Sequence, residues 1–339
     1  MRDTYVASRG RGTLMVGIVG LGSYVPEHIV TNADMEKILD TSDGWIRSRS
    51  GIVERRFAAS EQASRDLATI AATRALEDAG MSPGDLDLII VGTNSPDMLY
   101  PSTACLLQTR IGATNAAAFD LQSGCPGWIY GMTTGAQYIQ SGMYRNVLVV
   151  GAEVITRMMD PTDRGTYVLF GDGAGAAVLS SVERGGMKAF ELFADGSLSQ
   201  YLMLPAGGSR RPFSREVLKE RSYFTKMDGQ AVFRFSVREI SRISKKVLEK
   251  AGVPLEEVDW FIPHQANLRI IQSGAQELGI PMEKTVVTID RYGNSSAASI
   301  PVALDKIYRE GKLKRGDKVL MVSFGAGMTS GAILMEWSR

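Results

Sequence analysis

The stretch LEDAGMSPGDLDLIIVGT (76–93) aligns without a gap on LEKAGVPLEEVDWFIPHQ (248–265), 172 positions further on. Each copy reads as a helix end, a glycine stop, a proline-containing turn and then a strand, over 86–91 and 258–262. The same offset relates VLVV (147–150) to VLMV (319–322). These short, continuous apolar runs fit strands buried on both faces, and each follows a helical stretch, about 127–141 and 296–310. Further on, Phe170-Gly171-Asp172-Gly173 parallels Phe324-Gly325-Ala326-Gly327, and each leads into a β-rich run. Repeats of this length and order predict a duplicated α/β unit with mostly parallel, helix-covered sheets. In such sheets, sites form beyond the carboxyl ends of the strands. The duplication brings equivalent strand ends of the two halves, 14–183 and 184–339, to a shared boundary.

Composition narrows the function classes. The chain has 339 residues, 44% apolar and 22% charged, which excludes disorder or a collagen-like rod as a whole-chain reading. Lys and Arg number 38 against 37 Asp and Glu, a balance that argues against coating nucleic acid or an anionic membrane. Two cysteines cannot build a disulfide framework or a cysteine-rich metal site, and they fit a reducing cytoplasm. No apolar run reaches the roughly 18 residues of a membrane helix. Residues 1–13 read as a flexible tail outside the fold.

Few residues are left to carry chemistry. Cys125 lies in Ser123-Gly124-Cys125-Pro126-Gly127, where Pro126 belongs at the first helical position. Cys125 then sits at the N-cap, where the helix terminus favours a thiolate. Cys105 reads as a core residue of a helix. His264 falls immediately after strand 258–262, at a carboxyl strand end, whereas His28 reads as a surface loop residue. Asn294 precedes the helix that is the repeat's counterpart of the one after Cys125, and Ser295 or Ser296 is free to cap it. Gly17–Gly22 has the wrong spacing for a dinucleotide fingerprint, and Gly171–Gly175 runs into a strand, so both read as tight turns near a site. A row of Arg234, Arg238, Arg242 and Lys245 lines one side of an amphipathic helix over 231–250, next to a cation-rich segment at 209–227.

Gly124-Cys125-Pro126, Pro263-His264-Gln265-Ala266-Asn267-Leu268-Arg269 and Gly293-Asn294-Ser295-Ser296-Ala297-Ala298-Ser299 together resemble the thiolase superfamily. More narrowly, with Thr41–Ile46, Asp160–Thr166 and Phe170–Leu179, residues 14–339 resemble the β-ketoacyl-[acyl carrier protein] synthase III family. The resemblance implies a thiolase-like, five-layered αβαβα fold. It also implies decarboxylating condensation of a short acyl-CoA with malonyl-[acyl carrier protein], with no cofactor or metal and usually in a homodimer. The implied catalytic triad is Cys125, His264 and Asn294, with the backbone amides of Cys125 and Ala326 as the oxyanion site. Thr41, Trp45, Arg49, Arg164, Gly229, Phe233, Ala266 and Asn267 would line the CoA channel. Arg234, Gln265 and Arg269 would dock the acidic carrier protein. The chain departs from the family in Pro126-Gly127-Trp128 after the cysteine, in Ala326 in place of glycine, in a bulky Tyr100 and in the extra tail before residue 14. Trp128 and Tyr100 are expected to reshape the acyl pocket. A related condensing enzyme of specialised metabolism, such as one making a polyketide or quinolone starter, is the alternative. A papain-like protease shares the Cys…His…Asn order but not the cysteine context, and a non-catalytic CoA- or carrier-binding module would tolerate loss of Cys125.

Overall fold

A computed structural model describes residues 14–339; the expected tail at 1–13 lies outside the described residues. One sheet is built from β1 (Val16–Tyr24), β2 (Leu88–Gly92), β3 (Ala117–Leu121), β4 (Val147–Glu153) and β5 (Gly173–Ser181), in the order β1-β5-β4-β2-β3. The second contains β6 (Gly186–Ala194), β7 (Trp260–Pro263), β8 (Lys318–Gly325) and β9 (Thr329–Glu336), in the order β6-β9-β8-β7. The two orders superimpose, and so do the directions. β1 and β6 run antiparallel to β5 and β9, these run antiparallel to β4 and β8, and β2 and β7 lie parallel to β4 and β8. Even β3 has a remnant: an isolated parallel bridge joins Phe261 to Thr285. The duplication read from the offset is therefore a duplication of strand order.

Helices complete five layers. α1 (Asp43–Ser50) lies outside the layers near the cavity described below. α2 (Ser64–Ala79) and α3 (Thr103–Ile111) pack on each other and cover the outer face of the first sheet. α4 (Gly127–Gln140) and α7 (Ser299–Arg309) lie between the sheets. α5 (Gly229–Ala251) and α6 (Leu268–Leu278) cover the second sheet. The central layer is apolar, with Trp128, Ile129, Met132, Ile300 and Leu304 packed among strand residues of both sheets. Burial of such side chains contributes about 1.5–3 kcal/mol each. Among the described residues, no helix is long and apolar enough to cross a membrane.

Some local expectations give way to packing. Gly17–Gly22 is not a turn but the interior of β1. α2 presses against it so closely that a Cβ on Gly20 would lie 2.6 Å from Ala79 Cβ and collide with the Ala75 carbonyl. Backbone cannot give way as a side-chain tip does. Gly20→Ala is expected to destabilise the fold by about 3 kcal/mol, read as a lowered denaturation midpoint with an unchanged slope. Cys105 is exposed rather than in the core, because it points outward from α3, with Sγ near the Ala118 carbonyl. Arg242 does not stand free in the basic row: it pairs with buried Glu239 and stacks 4.3 Å from the Phe193 ring centroid. Arg234, Arg238 and Lys245 remain exposed.

Candidate active site

Gly124 and Gly325 let the two halves interlock. A Cβ on Gly325 would lie 3.0 Å from Cys125 Sγ, and one on Gly124 would lie 2.6 Å from the Ala326 amide nitrogen. The loop before α4 and the loop after β8 thus touch through bare backbone at the carboxyl ends of both sheets. Cys125 sits one residue before the N-cap, which is Pro126, since α4 begins at Gly127. The sulfur is half-buried. Burial pushes its thiol up to about 11, opposed by hydrogen bonds from the Ser296 hydroxyl and from the backbone amides of Cys125 and Ala326. The thiolate expected from the helix terminus alone is thus outweighed by desolvation.

His264 follows β7 directly, and its N–H donates to the Val322 carbonyl of the neighbouring strand at 2.7 Å. Its Nδ1 lies 2.6 Å from Ser299 Oγ, at the start of α7, and its ring meets Phe324 edge-on at 5.4 Å. The ring is buried, and desolvation pushes its pKa down to about 3, so the imidazole is neutral at pH 7. Asn294 is bridged to Phe170 by two backbone hydrogen bonds, Asn294 N to Leu169 O at 2.8 Å and Gly171 N to Asn294 O at 3.1 Å. Gly171 therefore lies beside the site, but residues 173–175 are not a turn: they are the start of β5, paired to β1 and β4. Asn294 Oδ1 accepts from Ser296 N at 2.9 Å, and Nδ2 has no partner among the described residues. Neither Ser295 nor Ser296 caps α7, whose N-cap is Ala298 with no side-chain bond.

A cavity of about 770 Å³ opens above these groups, lined by Cys125, His264, Asn294 and Phe324 at its floor. Trp45, Arg49, Gly229, Phe233, Arg234, Ala266, Asn267 and Arg269 also line it. Asn267 ties the rim: its Oδ1 caps α6, and its Nδ2 donates to the Arg49 carbonyl at 2.9 Å. Arg164 is not on the wall but stacks 5.1 Å over Trp45 and donates to the Asp40 carbonyl. Thr41 is not a lining residue either. Gln265 is wholly buried, its amide donating to Pro263 O and Val286 O and accepting from Thr288 N and Ile289 N, so it has no face for a partner. Arg269 is exposed and lies over the Phe233 ring at 5.6 Å.

A second cavity of about 140 Å³ meets the first at Cys125, Phe170 and Leu202. Its walls include Ile155, Met158, Met159, Leu204 and Ala326. Neither Trp128 nor Tyr100 lines it: Trp128 is in the central core, and Tyr100 is 85% exposed. Apart from Ala326, these wall residues carry no motif, and only the fold gathers them. The same holds for Val168, Leu169 and Leu202 in the larger cavity.

Family models for the 3-oxoacyl-[acyl-carrier-protein] synthase III family and for its C-terminal part match residues 119–196 and 248–337. The chain is 51% identical over 327 residues to a β-ketoacyl-[acyl-carrier-protein] synthase III of Caldanaerobacter subterraneus subsp. tengcongensis, covering 96% of this chain and 99% of that one. The crystal structure of 3-oxoacyl-[acyl-carrier-protein] synthase III from Aquifex aeolicus superimposes with a TM-score of 0.89 at 45% identity, covering 95% of this chain and all of that one. A priming β-ketosynthase of the R1128 polyketide pathway superimposes with a TM-score of 0.90 at 32% identity, covering 98% and 99%. With half of its residues shared along nearly its whole length, the chain belongs to the β-ketoacyl-[acyl-carrier-protein] synthase III family of acyltransferases, the condensing enzymes of fatty acid synthesis.

Proposed function

We propose that this enzyme starts acyl chains by transferring a short acyl group from CoA to Cys125 and condensing it with malonyl-[acyl carrier protein]. One observation carries the reading: Cys125 is shared by a long cavity and a small apolar one, and His264 and Asn294 line the long one. The long cavity suits the CoA arm and later the carrier's arm, while the small one suits a short acyl chain. In the first step, the Cys125 Sγ–acyl bond forms, the CoA sulfur–acyl bond breaks, and the thiol proton ends on CoA. The amides of Cys125 and Ala326 hold the oxyanion between. In the second, malonyl loses CO2 and its carbanion attacks the acyl carbon. The Cys125 sulfur leaves and regains a proton.

The second step needs donors rather than a base. With Nδ1 accepting the Ser299 hydroxyl proton, His264 keeps its hydrogen on Nε2, and Asn294 has a free Nδ2. Both then donate to the enolate oxygen as CO2 leaves. The carbanion's electron pair comes from the malonyl C–CO2 bond as it breaks, so the scheme calls for no cofactor. The acidic carrier protein docks on the exposed cations at the mouth, Arg234 and Arg269. Arg210, Arg215, Lys219 and Lys226 lie in the preceding segment without ion-pair partners among the described residues. A second copy of the chain covers the exposed Met98-Leu99-Tyr100 tip, and both cysteines stay reduced in the cytoplasm.

The test separates the two steps. Acyl loading is read by intact mass after short acyl-CoA is added, and condensation by CO2 release from malonyl-carrier protein. Arg269→Glu is expected to raise the KM for the carrier substrate about tenfold or more while the loaded mass still appears. Equal loss of both steps rejects the docking role.

A further inference from the structure

Beside Cys125 lies a polar cluster that the scheme above does not use; two of its members, Asn94 and Ser296, form part of the wall of the smaller cavity. Glu153, at the end of β4, is fully buried. It accepts from Asn94 Nδ2 at 2.8 Å, from Ser95 Oγ at 2.5 Å, and from the backbone amides of Asn94 and Ser95 at 3.1 Å. The bonds lock the Asn94 side chain in one orientation. Its Nδ2 then donates to Ser296 Oγ at 3.1 Å. The Ser296 hydroxyl thus has two acceptors within reach, Cys125 Sγ at 3.4 Å and the Glu153 carboxylate, and it turns to the sulfur when the sulfur carries the charge. Ser296 is buried and stands at φ 48°, a left-handed conformation that a serine adopts at a cost. Such strain is kept where the surroundings over-determine it, commonly at functional sites. A cap bond does not explain it, because Ser296 caps neither its own short turn nor α7.

We infer that Ser296 is a catalytic residue whose hydroxyl donates to the Cys125 sulfur whenever that sulfur carries negative charge, and that Asn94, held by Glu153, is its positioning residue. Charge develops on this sulfur twice, as it attacks the acyl-CoA and as it leaves the condensed product. A donor already aimed at it lowers both barriers without reorganisation. Across the site, the other donors to the sulfur are the amides of Cys125 and Ala326. The titratable groups facing it are Glu153, whose charge disfavours the thiolate, and the neutral His264 on the cavity wall. A hydroxyl donor opposes both desolvation and the carboxylate.

The inference rests on Cys125 as the nucleophile, so its test reads the sulfur without any substrate. The rate of Cys125 alkylation by iodoacetamide is measured against pH in the wild type, Ser296→Ala and Ser296→Gly, with Cys105→Ser in every background. Glycine takes φ 48° without strain and keeps the comparison valid if alanine impairs folding. Both variants are expected to alkylate about tenfold more slowly at pH 8, with the rise displaced to higher pH. Asn94→Ala is expected to slow alkylation in the same direction, and to add nothing once Ser296 is gone. Unchanged alkylation in folded Ser296→Gly overturns the role. An Asn94→Ala effect that persists in full in the Ser296→Gly background overturns the positioning. Wild type that alkylates at Cys125 but gains no acyl mass from short acyl-CoA strikes instead at Cys125 as the nucleophile, so the two failures are distinct.

Discussion

Cys125→Ala is expected to abolish the covalent acyl-enzyme and to lower condensation by at least about 10³-fold. The residue sits where the loops of both halves meet, beneath the larger cavity and beside the smaller. Removing one sulfur atom leaves the backbone amides and both cavity walls in place. The variant therefore still folds and still holds acyl-CoA, but has no atom to receive the acyl group. Intact mass after incubation with acetyl-, isobutyryl- and longer acyl-CoAs reads this directly. Wild type is expected to gain the short acyl masses, because a chamber of about 140 Å³ walled by Ile155, Met158, Met159 and Leu204 admits only a few carbons. An adduct on Cys125→Ala refutes the nucleophile. An adduct on wild type only with long chains refutes the initiating role.

Asn294→Ala and His264→Ala are each expected to slow carrier-dependent condensation about 10²–10³-fold, the usual consequence of removing one oxyanion donor. Acyl loading should change far less, since in the proposed scheme the oxyanion of that step is held by the amides of Cys125 and Ala326. Asn294→Ala also loses the Oδ1 bond to Ser296 N, a local cost of about 1 kcal/mol that leaves the backbone bridge to Phe170 intact. The pH dependence distinguishes a donor from a base. Desolvation holds the folded His264 at about 3, far below its ordinary 6.5, so the ring is neutral throughout pH 5–9. Condensation should then show no inflection near 6.5. A rate that falls through pH 6.5 and loses that inflection in His264→Ala identifies the imidazole as a titrating base instead. The same depression has a stability consequence. Between about 3 and 6.5 the unfolded chain binds a proton at His264 that the folded protein refuses, so this group's contribution to stability falls as pH falls through that window.

Sequence and structure divide the credit along a physical line. The gap-free offset between 76–93 and 248–265 was enough to expect a duplicated α/β unit, because a helix stop and a buried strand are local, repeated events. The placement of Cys125, His264 and Asn294 at loop tips was equally legible, since Pro126, the strand before His264 and the small residues after Asn294 are neighbours in the chain. The environment of a side chain is not legible in the same way. Gly17–Gly22 looked like a turn but is a strand that α2 packs against. Cys105 looked buried and is exposed. Gln265 shares a motif with His264 and Asn267, yet it faces inward and binds backbone. Trp128 follows the cysteine by three residues, and the helix turns it into the core, away from the smaller cavity.

The chain alone thus determined the periodic elements, their duplication and the loop-tip placement of Cys125, His264 and Asn294, because each is specified by residues close in sequence. Only the tertiary structure decided the ionisation of Cys125 and His264, the walls of both cavities, and the contact of Ser296 with the sulfur. Those depend on which distant segments exclude water and aim their polar atoms at the site. Desolvation and hydrogen-bond direction are properties of assembled neighbours, and no local pattern encodes them.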